Sequence, residues 1–291
     1  MTIIEKKFSN VDELWDMLSP ISSFSNKLKN PVYRGQANAL WHLTPVVFRD
    51  DIIKKYHRKR IEYSRTSQVI EFEFSLINHF LLGCDEQSIV IPYDSHDFRN
   101  ALNFSTALAR YADSTAGWPH KEFHPILAMA QHHGIPTRLL DWSRNSFVAI
   151  YFAASQALSS EDKIENLAIW VLDSHESDLT NIGLEIITSA GSVSRNLAAQ
   201  KGLFLLYKEP IDSLYTDEFL PEIESKKTEL LLKKNPAIKL YKFTLPANLA
   251  GELLLRCFKF NVSATTLFPD ANGVAKGVLE FKLAKRQAGK L

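Results

Sequence analysis

The sequence predicts an α+β fold built as a single compact domain. The first half reads as helices and the second half as strands. No steady β-α-β alternation joins the two, which disfavours a doubly wound parallel sheet. No Gly-, Ser- or Pro-rich linker divides the 291 residues. Residues 31–291 are therefore expected as one domain, behind a helical lead-in of residues 1–30.

Each element has a local reason. Ser9 or Asn10 can cap a first helix, with Val11, Leu14, Trp15 and Leu18 following at helical spacing. Pro20 and a Ser-rich stretch end it. Val32–Gln36 reads as a short strand running into a turn. Residues 51–82 read as a long helix ending near Gly83, and residues 98–113 as another. A helix over Phe123–His133 stops where Gly134 suits a left-handed cap and Pro136 cannot continue. The next helix is expected from near Ser143, since Phe147-Val148, Tyr151-Phe152 and Ala154-Ser155 form one buried stripe. Leu167–Leu172 is a continuous apolar run bounded by polar residues, the pattern of a buried strand. Leu184–Thr188, Gly202–Tyr207 and Ala237–Leu245 also read as strands. Leu249–Phe260 reads as a helix after Pro246. Gly277–Leu283 alternates as a last strand would.

Composition excludes several classes. Lys and Arg total 34 against 33 Asp and Glu, so no global field draws the chain to nucleic acid or to an anionic membrane. The two cysteines, Cys84 and Cys257, are too few for a disulfide framework, and read as buried hydrophobes in a reducing compartment. No apolar run resembles a signal peptide, and no window approaches 18 consecutive apolar residues. A cytoplasmic protein is expected, with no membrane partner.

Chemistry-bearing residues gather in two segments. Gln131-His132-His133-Gly134-Ile135-Pro136-Thr137-Arg138-Leu139-Leu140-Asp141-Trp142-Ser143 packs two imidazoles, a guanidinium, a carboxylate and a hydroxyl into a link between two helices. A bland reading stands beside this one. Arg138 and Asp141 could form a structural ion pair, Ser143 could serve as an N-cap, and the histidines could cap the preceding helix. The second segment is Tyr33-Arg34-Gly35-Gln36 with Trp41-His42-Leu43-Thr44-Pro45 and Arg49. A guanidinium beside a glycine lets backbone and fork approach a phosphate or carboxylate. The alternative is a surface Arg after a turn glycine.

These motifs resemble the FRG domain family of prokaryotic proteins, named for a Phe/Tyr-Arg-Gly motif. Tyr33-Arg34-Gly35-Gln36 and the Trp41-x-Leu43-x-Pro45 pattern carry the resemblance. So does the run from Gln131 to Ser143, with Ala149, Phe152, Ala153 and Ala154 after it. Arg195 with Gln200, Gly202 and Phe204 is similar to a later block, as is Leu267-Phe268-Pro269-Asp270 with Gly273. Tyr-Arg-Gly on an early strand also looks like the opening motif of ADP-ribosyltransferases, where the Arg holds a phosphate or ribose of NAD. An FRG-type effector of a phage-defence or toxin system is expected, acting as an ADP-ribosyltransferase-like enzyme. NAD or another nucleotide would be its substrate, and no metal is expected. Arg34 and Arg138 would bind anionic oxygen, and His132 or His133 would contact ribose or move a proton. Asp141 would orient a histidine, and Ser143, Gln36, Gln131, Arg195 and Gln200 would complete the site. The sequence departs from the transferase pattern: no Ser-Thr-Ser strand or Gln-x-Glu turn is present. Glu185 and Glu280 are the nearest strand glutamates, with the wrong neighbours.

Other readings compete with this one. His120, His124, His132, His133 and Asp141 offer ligand types for a metal-dependent nuclease or phosphodiesterase. Adjacent histidines on one helix diverge by about 100°, and Pro119 and Pro125 disfavour a regular helix at 120–124. Residues 51–65 hold Lys54, Lys55, Arg58, Lys59, Arg60 and Arg65 with Tyr56, His57 and Tyr63, and could track nucleic-acid phosphates. A solvated helix face explains the same run. A protein target, a cognate inhibitor or a defence partner belongs to the non-enzymatic class.

Overall fold

A computed structural model describes residues 3–56, 66–102, 118–180, 182–188, 195–208 and 236–290. The chain opens with β1 (Ile4–Lys7) and α1 (Val11–Leu18). Asn10 caps α1 by accepting from the Glu13 amide. β2 (Pro31–Gln36), α2 (Asp50–Tyr56), α3 (Thr66–Glu86), α4 (His96–Ala101) and α5 (His124–His132) follow. Next come β3 (Leu139–Ser143), α6 (Ser146–Ser159), β4 (Asn166–Asp173), α7 (Glu176–Thr180) and β5 (Leu184–Ile187). The chain ends through α8 (Arg195–Ala199), β6 (Gly202–Tyr207), β7 (Lys239–Pro246), α9 (Ala250–Lys259), α10 (Ala264–Leu267) and α11 (Ala271–Gln287).

The fold is α+β, as the sequence predicts. The strands form one sheet in the order β1-β7-β4-β2-β3-β6-β5. Every neighbouring pair is antiparallel except β1 with β7. Residues 1–30 are expected as a helical lead-in, yet β1 is an edge strand of this sheet and α1 buries Val11, Leu14, Trp15 and Leu18 in the main core.

Three core clusters clothe the sheet. On one face Tyr33, Ile169, Val171 and Phe243 meet α1, α6 and α9. Beyond the sheet's centre Leu139, Phe204 and Leu206 meet α3, α4 and α5. On the opposite face Val32, Trp170, Leu140, Trp142 and Leu203 meet Leu43, Val47, Phe48 and Phe72. Both cysteines are buried and unbridged. No described helix is long and apolar enough to cross a membrane.

Some expected elements differ from the structure, and others reach outside the described residues. Of the helix expected over 51–82, the described residues form α2 and α3, and residues 57–65 between them lie outside the described residues. Gly83 sits inside α3 rather than at its end. The helix expected over 98–113 is represented by α4, and residues 103–113 lie outside the described residues. The helix expected from near Ser143 begins at Ser146, where Asn145 caps it through the Phe147 amide, and residues 139–143 ahead of it form a strand that the sequence does not predict. The strand expected over 277–283 is part of helix α11. Asp270 caps it, and the helix buries Gly273, Gly277, Glu280 and Ala284 at three- and four-residue spacing. Its small residues face the core while Val278 and Leu279 face outward, so the apolar side chains trace the wrong period.

Candidate functional site

The sheet splits between its two central strands. β2 and β3 share one paired position, Tyr33 with Ser143, whereas β2 pairs with β4 along its whole length. Past Tyr33 the two strands diverge, and a cleft of about 1130 Å³ opens at the split. Alternation puts Tyr33 and Gly35 on the face of α6, and Arg34 and Gln36 on the other. The walls therefore come from both sides of the sheet. Trp41, His42, Thr44 and Arg49 contribute from the loop after β2, and Asp50 and Asp51 from α2. Gln131 and His132 end α5. Phe152 and Gln156 come from α6, Asn196 from α8, and Gln200 and Phe268 from nearby turns.

The two segments singled out in the sequence meet here. Arg34 Nη1 donates to the Asp141 carbonyl at 2.5 Å, across 107 residues of sequence. It also lies 3.8 Å from Asp141 Oδ2. The Asp141 side chain is 64% exposed, on the one outward position of β3. Gln131 Nε2 donates to Asp141 Oδ1 at 2.8 Å, while Gln131 Oε1 accepts from the Thr137 hydroxyl. Thr137 Oγ1 in turn accepts from the Leu139 amide. This chain of bonds fixes the amide's orientation and points one carboxylate oxygen. Gly134 makes the geometry reachable: its φ of +88° ends α5 in the left-handed region, which strains any other residue. Asp141 is thus oriented by Gln131 and Arg34. His132 lines the same cleft, and its pKa is lowered from 6.5 by desolvation first and by the neighbouring His133 second.

Of the other expected site residues, Gln36, Ser143 and Gln200 also line the cleft but are engaged in bonds of their own, whereas His133, Arg138 and Arg195 do not line it. His133 does not line the cleft; its ring stacks on Phe80 at 6.2 Å. Arg138 lies in the core, where its amide and Nε both donate to Glu73 at 2.9 and 2.5 Å. Its guanidinium also sits 5.5 Å from the centre of the Phe48 ring. The suggested Arg138–Asp141 pair does not form, because adjacent strand faces send the two side chains apart. Ser143 Oγ donates to the Gln200 carbonyl and accepts from the Asn145 amide, so its proton is committed and no histidine faces it as a base. Gln36 is buried with its amide shared between the His42 carbonyl and Trp170 Nε1. Gln200 lines the cleft while its Nε2 donates to the Leu267 carbonyl. Arg195 is exposed on α8 and does not line the cleft. Neither Glu185, paired with Lys208, nor Glu280, bonded to Tyr151, reaches it.

Sequence reasoning passed over Gln156, Asn196, Asp50 and Asp51. Gln156 follows Phe152 by one helical turn, a signal available in the sequence. Asn196 is the neighbour of the residue chosen. Asp50 and Asp51 had none, because only the fold carries α2 to the cleft mouth.

Among the described residues no three His, Cys, Asp or Glu side chains are placed to hold a metal ion. His124, a ligand in the metal reading, is buried with Nε2 unpartnered. Desolvation first of all pushes its pKa down to about 4. Unfolding restores a value near 6.5, so the unfolded chain binds the extra proton between those limits. Stability contributed by the neutral ring is therefore present above pH 6.5 and is lost as pH falls toward about 4. His124→Leu is expected to flatten the melting temperature against pH in that window; identical slopes in both proteins would refute it. Of the basic run over 51–65, Lys54 and Lys55 are exposed and residues 57–65 lie outside the described residues.

No curated protein and no solved structure matches the chain. The FRG domain family model matches residues 29–162. That span includes β2, the Trp41 loop, α5, β3 and α6, and so most of the cleft wall. The chain carries an FRG domain, with Arg34, Gln131, His132 and Asp141 inside it.

Proposed function

We propose that the cleft is an enzyme active site for a nucleotide, with NAD as the substrate and nicotinamide release as the reaction. One observation carries this reading: Arg34, Gln131, His132 and Asp141 converge on one open cleft from segments far apart in sequence. The residue types match the ligand's parts. Trp41, 47% exposed, offers a stacking surface for a base, as do Phe152 and Phe268. Arg49 supplies positive charge for phosphates, beside the Arg34 guanidinium that holds Asp141. Gln156, Asn196 and Gln200 supply amides for a base edge or a carboxamide. Asp141 is the exposed carboxylate beside them.

The chemistry follows from those groups. The bond between nicotinamide nitrogen and ribose C1′ breaks, and its electron pair leaves with nicotinamide. The ribose carbon becomes cationic, and the Asp141 carboxylate stabilises that charge. A water or acceptor nucleophile bonds to C1′ and gives its proton to His132, whose lowered pKa keeps it neutral near pH 7. Depletion of NAD or modification of a target by this route would serve an effector of a phage-defence or toxin system.

The test is nicotinamide release followed by mass spectrometry, with calorimetry for NAD binding. Asp141→Asn is expected to lower kcat by about 10²–10³ with binding retained. The rate should fall as pH drops through the lowered His132 pKa, and His132→Ala should remove that limb. Neither binding nor release by the wild-type protein would refute the reading.

A further inference from the structure

Two arginines line the cleft, and their surroundings differ. Arg34 spans the split in the sheet. Its Nη1 donates to the Asp141 carbonyl at 2.5 Å, and its side chain is 14% exposed. The ladder between β2 and β3 stops at Tyr33 and Ser143, so this guanidinium supplies a cross-strand bond where the backbone no longer does. Arg49 follows the turn Val46–Phe48 and stays exposed on the cleft wall. Its Nε donates to the Thr44 carbonyl at 3.2 Å, and among the described residues Nη1 and Nη2 make no hydrogen bond. Among the described residues no carboxylate forms an ion pair with it. Partial desolvation lowers its pKa, against the pull of Asp51 and Asp141.

We infer that Arg49 is the cation that holds the ligand's anionic group, and that Arg34 is a positioning residue that straps β2 to β3 and sets Asp141. The assignment rests on the nucleotide reading of the same cleft and divides the labour within it. A guanidinium already bonded across the split has fewer donors to offer a phosphate, and moving it would release Asp141. The Arg49 fork can meet two oxygens of a phosphate or pyrophosphate side by side without breaking a strand contact. The ligand class is therefore a pyrophosphate-bearing molecule whose anionic segment sits toward the loop of residues 40–51, with its reacting end toward Asp141 and His132.

Calorimetric titration of inorganic pyrophosphate and, separately, of NAD into the full chain tests this. Arg49→Ala should weaken pyrophosphate binding about tenfold, the loss of one charge-assisted bond, at an unchanged melting temperature. Arg49→Lys should recover much of that loss by restoring the charge. Arg34→Lys should lower the melting temperature and leave pyrophosphate affinity within about threefold. Wild-type affinity in Arg49→Ala, or no pyrophosphate binding by the wild-type protein, overturns the assignment. So does loss of binding in Arg34→Lys at an unchanged melting temperature. If pyrophosphate binds through Arg49 while NAD neither binds nor reacts, the NAD reading fails and the Arg49 assignment stands.

Discussion

Gly35→Ala is expected to destroy the fold. A Cβ at position 35 would lie 1.9 Å from the Ala149 carbonyl oxygen and 2.7 Å from the Ala153 nitrogen. Both are backbone atoms of α6, so no side chain can swing aside. Relief requires α6 to withdraw from β2, and that opens the core where Tyr33, Val148, Ile150 and Tyr151 pack. Overpacking of this kind costs about 3 kcal/mol or more, a large share of a domain's stability. The same withdrawal moves Val148, Ala149, Phe152 and Gln156, which wall the cleft. Soluble yield and urea unfolding followed by circular dichroism measure the effect. A variant within about 0.5 kcal/mol of wild type would show that α6 does not press on β2 as described. The Arg-Gly pair thereby has a physical meaning. Strand alternation sends Arg34 into the split and leaves position 35 against a helix backbone, where only hydrogen fits.

Much of the fold was legible because its signals are local. The spacing of Val11, Leu14, Trp15 and Leu18, the apolar run over β4 and the Gly134 stop each depend on neighbouring residues alone. β3 was not legible. Its five residues are buried on both faces save Asp141, and such a run gives neither helical nor strand period. The end of the chain misled for the opposite reason, since α11 buries glycines and turns valines outward. The cleft followed the same division. Residue types in 33–49 and 131–143 pointed to a site, and Arg34 and Asp141 do meet. Their roles within it were not legible, because role depends on what each side chain touches. Gln131 reads as a ligand contact until its bond to Asp141 is seen. Gln36 and Ser143 read the same way until their own bonds fill them. Arg138 is the clearest case: nothing in the sequence ties it to Glu73, 65 residues earlier.

Glu73→Ala is expected to cost about 3–5 kcal/mol, because it strands a buried charge. Glu73 and Arg138 are both fully enclosed, and the carboxylate accepts from the Arg138 amide, Arg138 Nε and Trp118 Nε1. Removing it leaves three donors without an acceptor in an apolar setting, with Arg138 Nη2 already unpartnered among the described residues. Glu73→Gln keeps one acceptor oxygen but not the charge, and should fall between the two. Replacing both partners with methionine removes the stranded charge and should recover part of the loss. It should not recover all of it, since Trp118 Nε1 and the residue-138 amide still lack an acceptor, at about 1–3 kcal/mol each. A double-mutant cycle in urea reads the coupling directly. The same variants separate the two roles once offered for Arg138. As a core cation it affects melting while nucleotide affinity well below the transition stays put. Were it a ligand contact, Arg138→Met in the Glu73→Met background would lose affinity at a stability close to that of the single variant.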